Sequence, residues 1–258
     1  MSVLDSIIEG VREDLAARRL PLSQLHEQLE SAPAVIDAHP RLLAEPMTII
    51  AEVKRSSPSK GSLAEISHPA VLAEKYQEAG AAVVSVLTER RRFGGSLEDL
   101  IAVRSAIEIP ILRKDFMVDE YQFLEARAAG ADVVLLIVAA LSKNQLKDYY
   151  DLATELGMAV LVETHTRQEI EDAMEIEPRI IGVNARNLKT LEIDLSAFTE
   201  LIPEIPSSII RVAESGISQR NEVESAAAAG ANAILVGETL VRASTPQVAI
   251  NQLLGRTL

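Results

Sequence analysis

The sequence contains no cysteine, which excludes disulfides and thiolate metal sites outright. Histidine is scarce. The four are His26, His39, His68 and His165, and no two stand at the i, i+3 or i, i+4 spacing of a helical metal pair. Long apolar runs are also missing. The longest, Val133 to Leu141, falls well short of the ~20 residues that a membrane helix needs. Met1 to Glu9 carries early acids and lacks the apolar stretch of a signal peptide. Positive charge is in deficit, with 25 Lys and Arg against 38 Asp and Glu and a net charge of −13. That balance argues against a broad basic surface for nucleic acid, but not against an anionic ligand in a locally basic pocket. A reducing, cytoplasmic setting fits the missing cysteines.

What is present is ordinary in bulk. The 258 residues are 48% apolar and 24% charged, enough to bury a sizeable core without covalent staples. In residues 1–46, Val3, Leu4, Ile7, Ile8, Val11 and Leu15 recur at helical spacing between charged neighbours. This predicts an amphipathic helix ending near Arg19, before Pro21. A short helix is expected around Leu22–Glu30, then a proline-punctuated connector to Pro46. The apolar stripe makes this leader an extension packed over the rest of the chain, not a separate domain or a disordered tail.

From Met47 the periodicity changes and then repeats. Strand-like runs fall at Met47–Val53, Val83–Leu87, Ile109–Arg113, Val133–Val138, Ala159–Val162, Ile180–Val183, Ile209–Ala213 and Ala233–Val236. Helical segments at Ala70–Ala79, Leu97–Ile107, Glu120–Ala129, Lys143–Leu156, Gln168–Ile176, Leu195–Ile202, Gln219–Ala229 and Pro246–Leu254 alternate with them. The segment Glu78-Ala-Gly-Ala-Ala-Val-Val is echoed from Ala128 and again from Ala228. Each copy places a glycine (Gly80, Gly130, Gly230) where a helix end wants a left-handed residue. Eight such units predict the α/β class and a single (β/α)8 TIM barrel over 47–258. With 1–46 as its N-terminal helical extension, the chain is one domain over 1–258. A doubly wound open sheet would carry a glycine-rich turn after its first strand, where this chain has Lys54-Arg-Ser-Ser-Pro58.

Barrel active sites gather at the carboxyl ends of the strands, and the polar residues cluster there. The first strand runs into Glu52 and Lys54, which share a face with Ile50. A carboxylate and an ammonium at the end of an apolar strand are costly unless paired or at work. The second strand runs into Thr88, Glu89 and Arg90–Arg92. The third ends in Arg113, Lys114 and Asp115, the fifth in Glu163, and the sixth in Asn184 and Arg186. The seventh ends in Glu214, Ser215 and Gly216, and the eighth in Gly237 and Glu238. Only the fourth stays apolar, with Leu135 and Ile137 on one face. One such residue is an ordinary surface charge; so many on one rim predict a catalytic mouth. Small residues in the last two loops let backbone N–H groups approach an anion, at the place where barrels often bind phosphate. Lys54 and Arg186 are placed to neutralise that charge. Two plain strand–helix turns are the alternative. Arg90–Arg92 is either a steering patch or a solvated loop.

These motifs resemble the indole-3-glycerol phosphate synthase family. The likeness is carried by Ile50-Ala-Glu-Val-Lys-Arg-Ser-Ser-Pro-Ser-Lys-Gly61, by Leu87-Thr-Glu89 with Phe93-Gly-Gly-Ser-Leu97, and by Leu112-Arg-Lys-Asp-Phe116. It continues through Val162-Glu-Thr-His165, Gly182-Val-Asn-Ala-Arg-Asn-Leu188, Ala213-Glu-Ser-Gly-Ile217 and Leu235-Val-Gly-Glu238. One frequent form of the family has a second Asn where this chain has Ala185. The resemblance implies a carboxy-lyase of tryptophan biosynthesis that closes an indole ring with loss of carbon dioxide and water, without cofactor or metal. It implies Lys114 as general acid of ring closure and Glu163 as base in the later proton transfers. Lys54 would bind the substrate carboxylate or act as second acid, and Glu52, Asn184 and Glu214 would orient these groups. Ser57, Arg186, Ser215, Gly216, Gly237 and Glu238 would bind substrate, the last five chiefly its phosphate. Phe93, Phe116, Leu135, Ile137, Leu188 and Leu235 would form the slot for the benzene ring, or be simple core. The expected partner is a small phosphorylated substrate, not nucleic acid or membrane. The chain is expected to be monomeric, with contacts to other tryptophan-pathway enzymes left open. A phosphoribosyl isomerase and a catalytically silent barrel are the rival readings.

Overall fold

The structure, a computed structural model, describes residues 2–257. Residues 1 and 258, the outer limits of the expected extension and barrel, lie outside the described residues. Helix α1 (Val3–Arg18) begins with a reciprocal cap. The Ser2 hydroxyl accepts from the Asp5 N–H, and the Asp5 carboxylate accepts from the Ser2 N–H. It buries Leu4, Ile7, Val11 and Leu15, the stripe the periodicity predicts. Helix α2 (Leu22–Glu30) comes next, with a helical turn α3 (His39–Leu42) inside the connector. Proline at the second position of α3 suits a helix start, which is why a stretch expected to be irregular contains a turn of helix.

Eight parallel strands then close a barrel. They are β1 (Thr48–Val53), β4 (Val83–Leu87), β5 (Ile111–Lys114), β6 (Val133–Ile137), β7 (Ala159–Thr164), β8 (Ile180–Asn184), β9 (Ile210–Glu214) and β10 (Ala233–Val236), in the order β1-β10-β9-β8-β7-β6-β5-β4. Between β1 and β4 a small hairpin, β2 (Ser56–Ser57) and β3 (Gly61–Ser62), shapes the first loop. The crossovers are α4 (Pro69–Glu78), α5 (Leu97–Arg104), α6 (Glu120–Ala128), α7 (Lys143–Glu155), α8 (Arg167–Met174), α9 (Ser196–Leu201) and α10 (Arg220–Ala228). Helices α11 (Glu238–Val241) and α12 (Pro246–Leu254) complete the ring. Gly80, Gly130 and Gly230 take φ of 80°, 88° and 101° at the repeated helix ends, a region glycine enters without a Cβ penalty.

Strand alternation divides the apolar residues between two cores. Ile49, Ala51 and Val53 face the helices, with Val84, Val86 and Leu136. Ile50, Leu112, Leu135, Leu161, Val212 and Leu235 fill the barrel, and this inner cluster continues into the leader. Leu4 and Ile7 of α1 reach it, as do Ala38 and Leu42. Leu42 stands by the opposite end of the strands, where its carbonyl accepts from the Thr48 hydroxyl. The leader therefore packs on the barrel and touches both of its ends. No helix among the described residues is long and apolar enough to cross a membrane.

Candidate active site

Four of the expected catalytic residues lie in the ladder itself, three as the last residue of their strand and Glu163 one short of it. Apolar patterning stops the third, fifth, sixth and seventh strands just short of them, but pairing continues: Leu87↔Lys114, Glu163↔Gly182 and Asn184↔Glu214 are in register. The third strand also starts later than expected, at Ile111 rather than Ile109, because Pro110 has no N–H for a ladder. A ladder position fixes the backbone under each functional group. Glu52, Glu163, Asn184 and Glu214 are all buried, Glu163 and Glu214 to 1% exposure.

At the centre, Lys114 Nζ donates to Glu163 Oε2 at 3.1 Å and lies 3.6 Å from Glu214 Oε2. Lys54 Nζ stands 3.3 Å from Glu52 Oε1, and 5.6 Å above the Phe93 ring. The Ser85 hydroxyl donates to the other Glu52 oxygen at 3.4 Å. Burial alone would pull the Lys114 pKa down, but Glu163, Glu214 and Glu52 outweigh it and hold the ammonium above the ordinary lysine range. Burial pushes Glu163 up, while Lys114 and then His165 overcome this and keep it below the carboxylate range. Glu214 goes the other way. Burial, then the charge of Glu163, pushes it up to about 8, and among the described residues neither of its oxygens has a hydrogen-bond partner. Two carboxylates around one lysine are therefore pushed apart in acidity, the usual signature of separate acid and base roles.

Backbone shape makes room for this cluster. A Cβ at Gly182 would meet Glu214 Oε1 at 1.9 Å, and one at Gly237 would meet Glu52 Oε1 at 2.6 Å. Only glycine lets these carboxyl groups lie flat against the neighbouring strands. Ser215 at φ 70° and Gly216 at φ 81° bend the chain sharply after Glu214. A non-glycine residue held there is strained, as happens at functional sites.

The cavity over the cluster is lined by Glu52, Lys54, Ser57, Lys114, Glu163, Asn184, Arg186, Glu214 and Ser215. All six apolar residues expected for the ring slot, Phe93, Phe116, Leu135, Ile137, Leu188 and Leu235, line it too. All six also belong to the inner barrel cluster or pack against it, so the residues expected for the slot are core residues too. Gly216, Gly237 and Glu238 stand beside the cavity rather than in its lining. The Glu238 carboxylate turns to Lys60 at 2.7 Å. Arg186 donates to Ser59 Oγ at 3.0 Å, its own N–H donates to Asn184 Oδ1 at 2.9 Å, and burial lowers its pKa. The contacts from Lys60 and Arg186 strap the first loop across the mouth, and the enclosed space is about 90 Å³.

Some of the charged rim faces elsewhere. Arg113 is fully buried on the helix side of β5, bonded to Asp115, Glu125, Thr88 and the Gln122 carbonyl. Glu89 accepts from the backbone N–H groups of Arg91, Arg92 and Phe93, closing its own loop. Arg91 binds Glu13 and Asp14 on α1 and so ties the leader to this loop, while all three arginines of the run stay exposed. Val3, Leu4 and Ile7 of that leader line the cavity; the sequence shows their stripe but not which wall it meets. A larger cleft, about 1180 Å³, lies outside the barrel between the leader and α5–α6, but its walls include Arg18, Arg104, Arg113 and Glu125, each already paired. Among the described residues no group of three or more His, Asp or Glu is placed to hold a metal ion.

The fold is shared with distant solved structures. Thiamine phosphate pyrophosphorylase from Pyrococcus furiosus superposes with a TM-score of 0.61 at 13% identity, over 83% of this chain and 95% of that one. The N-acetylmannosamine-6-phosphate 2-epimerase from Clostridium perfringens gives 0.62 at 14%, over 87% and 99%. Sequence relatives are far nearer. Proteins named indole-3-glycerol phosphate synthase from Kineococcus radiotolerans and Paenarthrobacter aurescens are each 54% identical, over 98% of this chain and 95% of theirs. The sequence model of the family described as indole-3-glycerol phosphate synthase matches residues 4–253. With Lys114, Glu163 and Glu214 gathered in one buried mouth and likeness running almost from end to end, the chain belongs to the indole-3-glycerol phosphate synthase family.

Proposed function

We propose that this mouth converts 1-(2-carboxyphenylamino)-1-deoxy-D-ribulose 5-phosphate into indole-3-glycerol phosphate, releasing carbon dioxide and water, with its own side chains as acids and bases. Lys114 protonates the ketone oxygen as the ring carbon attacks the ketone carbon. Loss of the carboxylate as carbon dioxide restores the electron pair to the ring. The hydroxyl left at the old ketone carbon then takes a proton from one of the two lysine ammoniums and departs as water, while Glu163 takes the proton lost from the neighbouring carbon. Lys54 binds the substrate carboxylate or serves as second acid, and Glu52, Asn184 and Glu214 orient the lysines and the ribulose hydroxyls. Arg186, Ser57 and the N–H groups around Ser215, Gly216, Gly237 and Glu238 take the phosphate. The six apolar lining residues sandwich the benzene ring.

The observation that carries this reading is the Lys114 ammonium seated between Glu163 and Glu214 beside an apolar slot. A proton donor and an acceptor within hydrogen-bond reach of each other, in a site from which water is squeezed, are what ring closure and then elimination require. An enclosed space of about 90 Å³ is smaller than the several hundred that a ligand of this size occupies, so in this reading the first loop swings outward to admit substrate. The chain acts as a cytoplasmic monomer on this small phosphorylated metabolite, with other enzymes of tryptophan biosynthesis as its natural neighbours. Mixing the purified chain with the carboxyphenylamino substrate and monitoring indole-ring fluorescence tests the reading. A rise is expected. Substrate recovered unchanged, or isomerised without an indole signal, contradicts it.

A further inference from the structure

His165 stands just past β7, where the chain turns into α8, and its side chain is only 10% exposed. Its Nε2 lies 3.3 Å from Glu163 Oε1, an ion-pair separation without the alignment of a hydrogen bond. Its Nδ1 lies 3.1 Å from Glu169 Oε2 on α8. The other Glu163 oxygen accepts from Lys114, so Glu163 is gripped from the front by an ammonium and from behind by an imidazole. Glu169 also accepts from the backbone N–H of His165 at 2.7 Å, and the Thr166 hydroxyl caps α8 by accepting from the Glu169 N–H. Those capping contacts need only backbone at position 165. The imidazole is surplus to the turn, and burying it against two carboxylates needs another reason.

The charged groups facing the ring are Glu163 from its own strand and Glu169 from α8. The helical turn Val138–Ala140, which packs on α8 and β7, presents only apolar side chains, and Lys114 of β5 acts through Glu163. Burial alone would lower the ring's pKa; Glu163 and Glu169 reverse this and push it up to about 9.

We infer that His165 and Glu169 form a positioning pair for Glu163. The imidazolium, held by Glu169, pins the rear oxygen of Glu163 and leaves the front oxygen aimed at Lys114 and the reacting carbon. This rests on Glu163 being the base. The pair touches no substrate, so its loss acts on kcat and leaves KM in place.

The test is kcat and KM of Glu169→Gln and His165→Gln against pH, with thermal melts to confirm folding and Glu163→Gln as reference. Parent kcat is expected to fall as pH rises through about 9. In Glu169→Gln, which keeps a partner for the backbone cap, that fall comes about one pH unit or more earlier, with KM within about twofold. His165→Gln loses about tenfold in kcat, the usual scale for an outer partner of a working ligand, and its profile loses this limb. Superimposable profiles for parent and Glu169→Gln, or losses confined to KM, overturn the inference. If Glu163→Gln itself keeps parental turnover, the base assignment fails. If Glu163→Gln is inactive while the Glu169→Gln profile matches the parent, only the positioning role fails.

Discussion

Arg113 and Lys114 are consecutive on β5, and their side chains enter two differently built networks of buried charge. Arg113 points to the helix layer, where Asp115, Glu125, Thr88 and a backbone carbonyl take up its donors and Arg18 of α1 takes the other side of Glu125. Lys114 points into the barrel, where among the described residues it makes one hydrogen bond, to Glu163, and the Glu214 carboxyl beside it has none. Both networks are largely hidden from water. The first is saturated, and its glutamate is held below the carboxylate range despite burial, by Arg113 and Arg18. The second is left short of partners, and its two glutamates are driven in opposite directions. Burial alone therefore does not mark a site. A site is marked by buried groups whose bonding capacity is held open for something not yet bound.

Substitution on each side of the strand should break the comparison in opposite ways. The largest loss of stability is expected for Arg113→Met, which strands Asp115 and Glu125 in the interior. Removing one partner from a buried pair costs about 3–5 kcal/mol, readable by chemical denaturation. Next is a pH effect at Glu214. Its folded pKa is raised to about 8 from an ordinary value of 4.5, so it contributes stability fully below about 4.5 and loses it as pH rises through about 8. The melting temperature of the parent should fall over that window relative to Glu214→Gln, which cannot ionise; parallel curves would show that Glu214 is already ionised at neutral pH. The smallest change is expected for Arg18→Met. Arg18 is 37% exposed and Glu125 keeps Arg113, so the loss should stay within about 1 kcal/mol.

Much of this was legible in the sequence because two periodicities do separate jobs. Repeated glycines at positions 80, 130 and 230 and alternating apolar runs give the barrel. The leader's stripe at Leu4, Ile7, Val11 and Leu15 gives a packed helix. The site residues were legible by place, as polar residues that interrupt apolar strands at one end. The same interruption hid their exact setting: Lys114, Glu163, Asn184 and Glu214 are ladder residues, and hydropathy ends a strand where its polarity changes, not where its hydrogen bonds stop. Facing was harder still. Arg113 and Lys114 are adjacent and share their charge, and only the pleat decides that Lys114 enters the mouth while Arg113 faces the helices. Long-range contacts left no local trace at all. Nothing near Val3 announces that it lines a cavity whose first strand begins more than forty residues later.

The claim on which the account rests is that the Lys114 ammonium is held in the mouth for turnover and not for folding. Single-turnover indole formation by Lys114→Met, with its melting temperature measured on the same preparation, tests this most directly. The expected result is a rate lower by about a thousandfold, the scale of a lost general acid, in a protein that still melts cooperatively at pH 7, where the raised Glu214 carboxyl is neutral and His165 still faces Glu163. A folded Lys114→Met protein that forms indole within about threefold of the parental rate would contradict it.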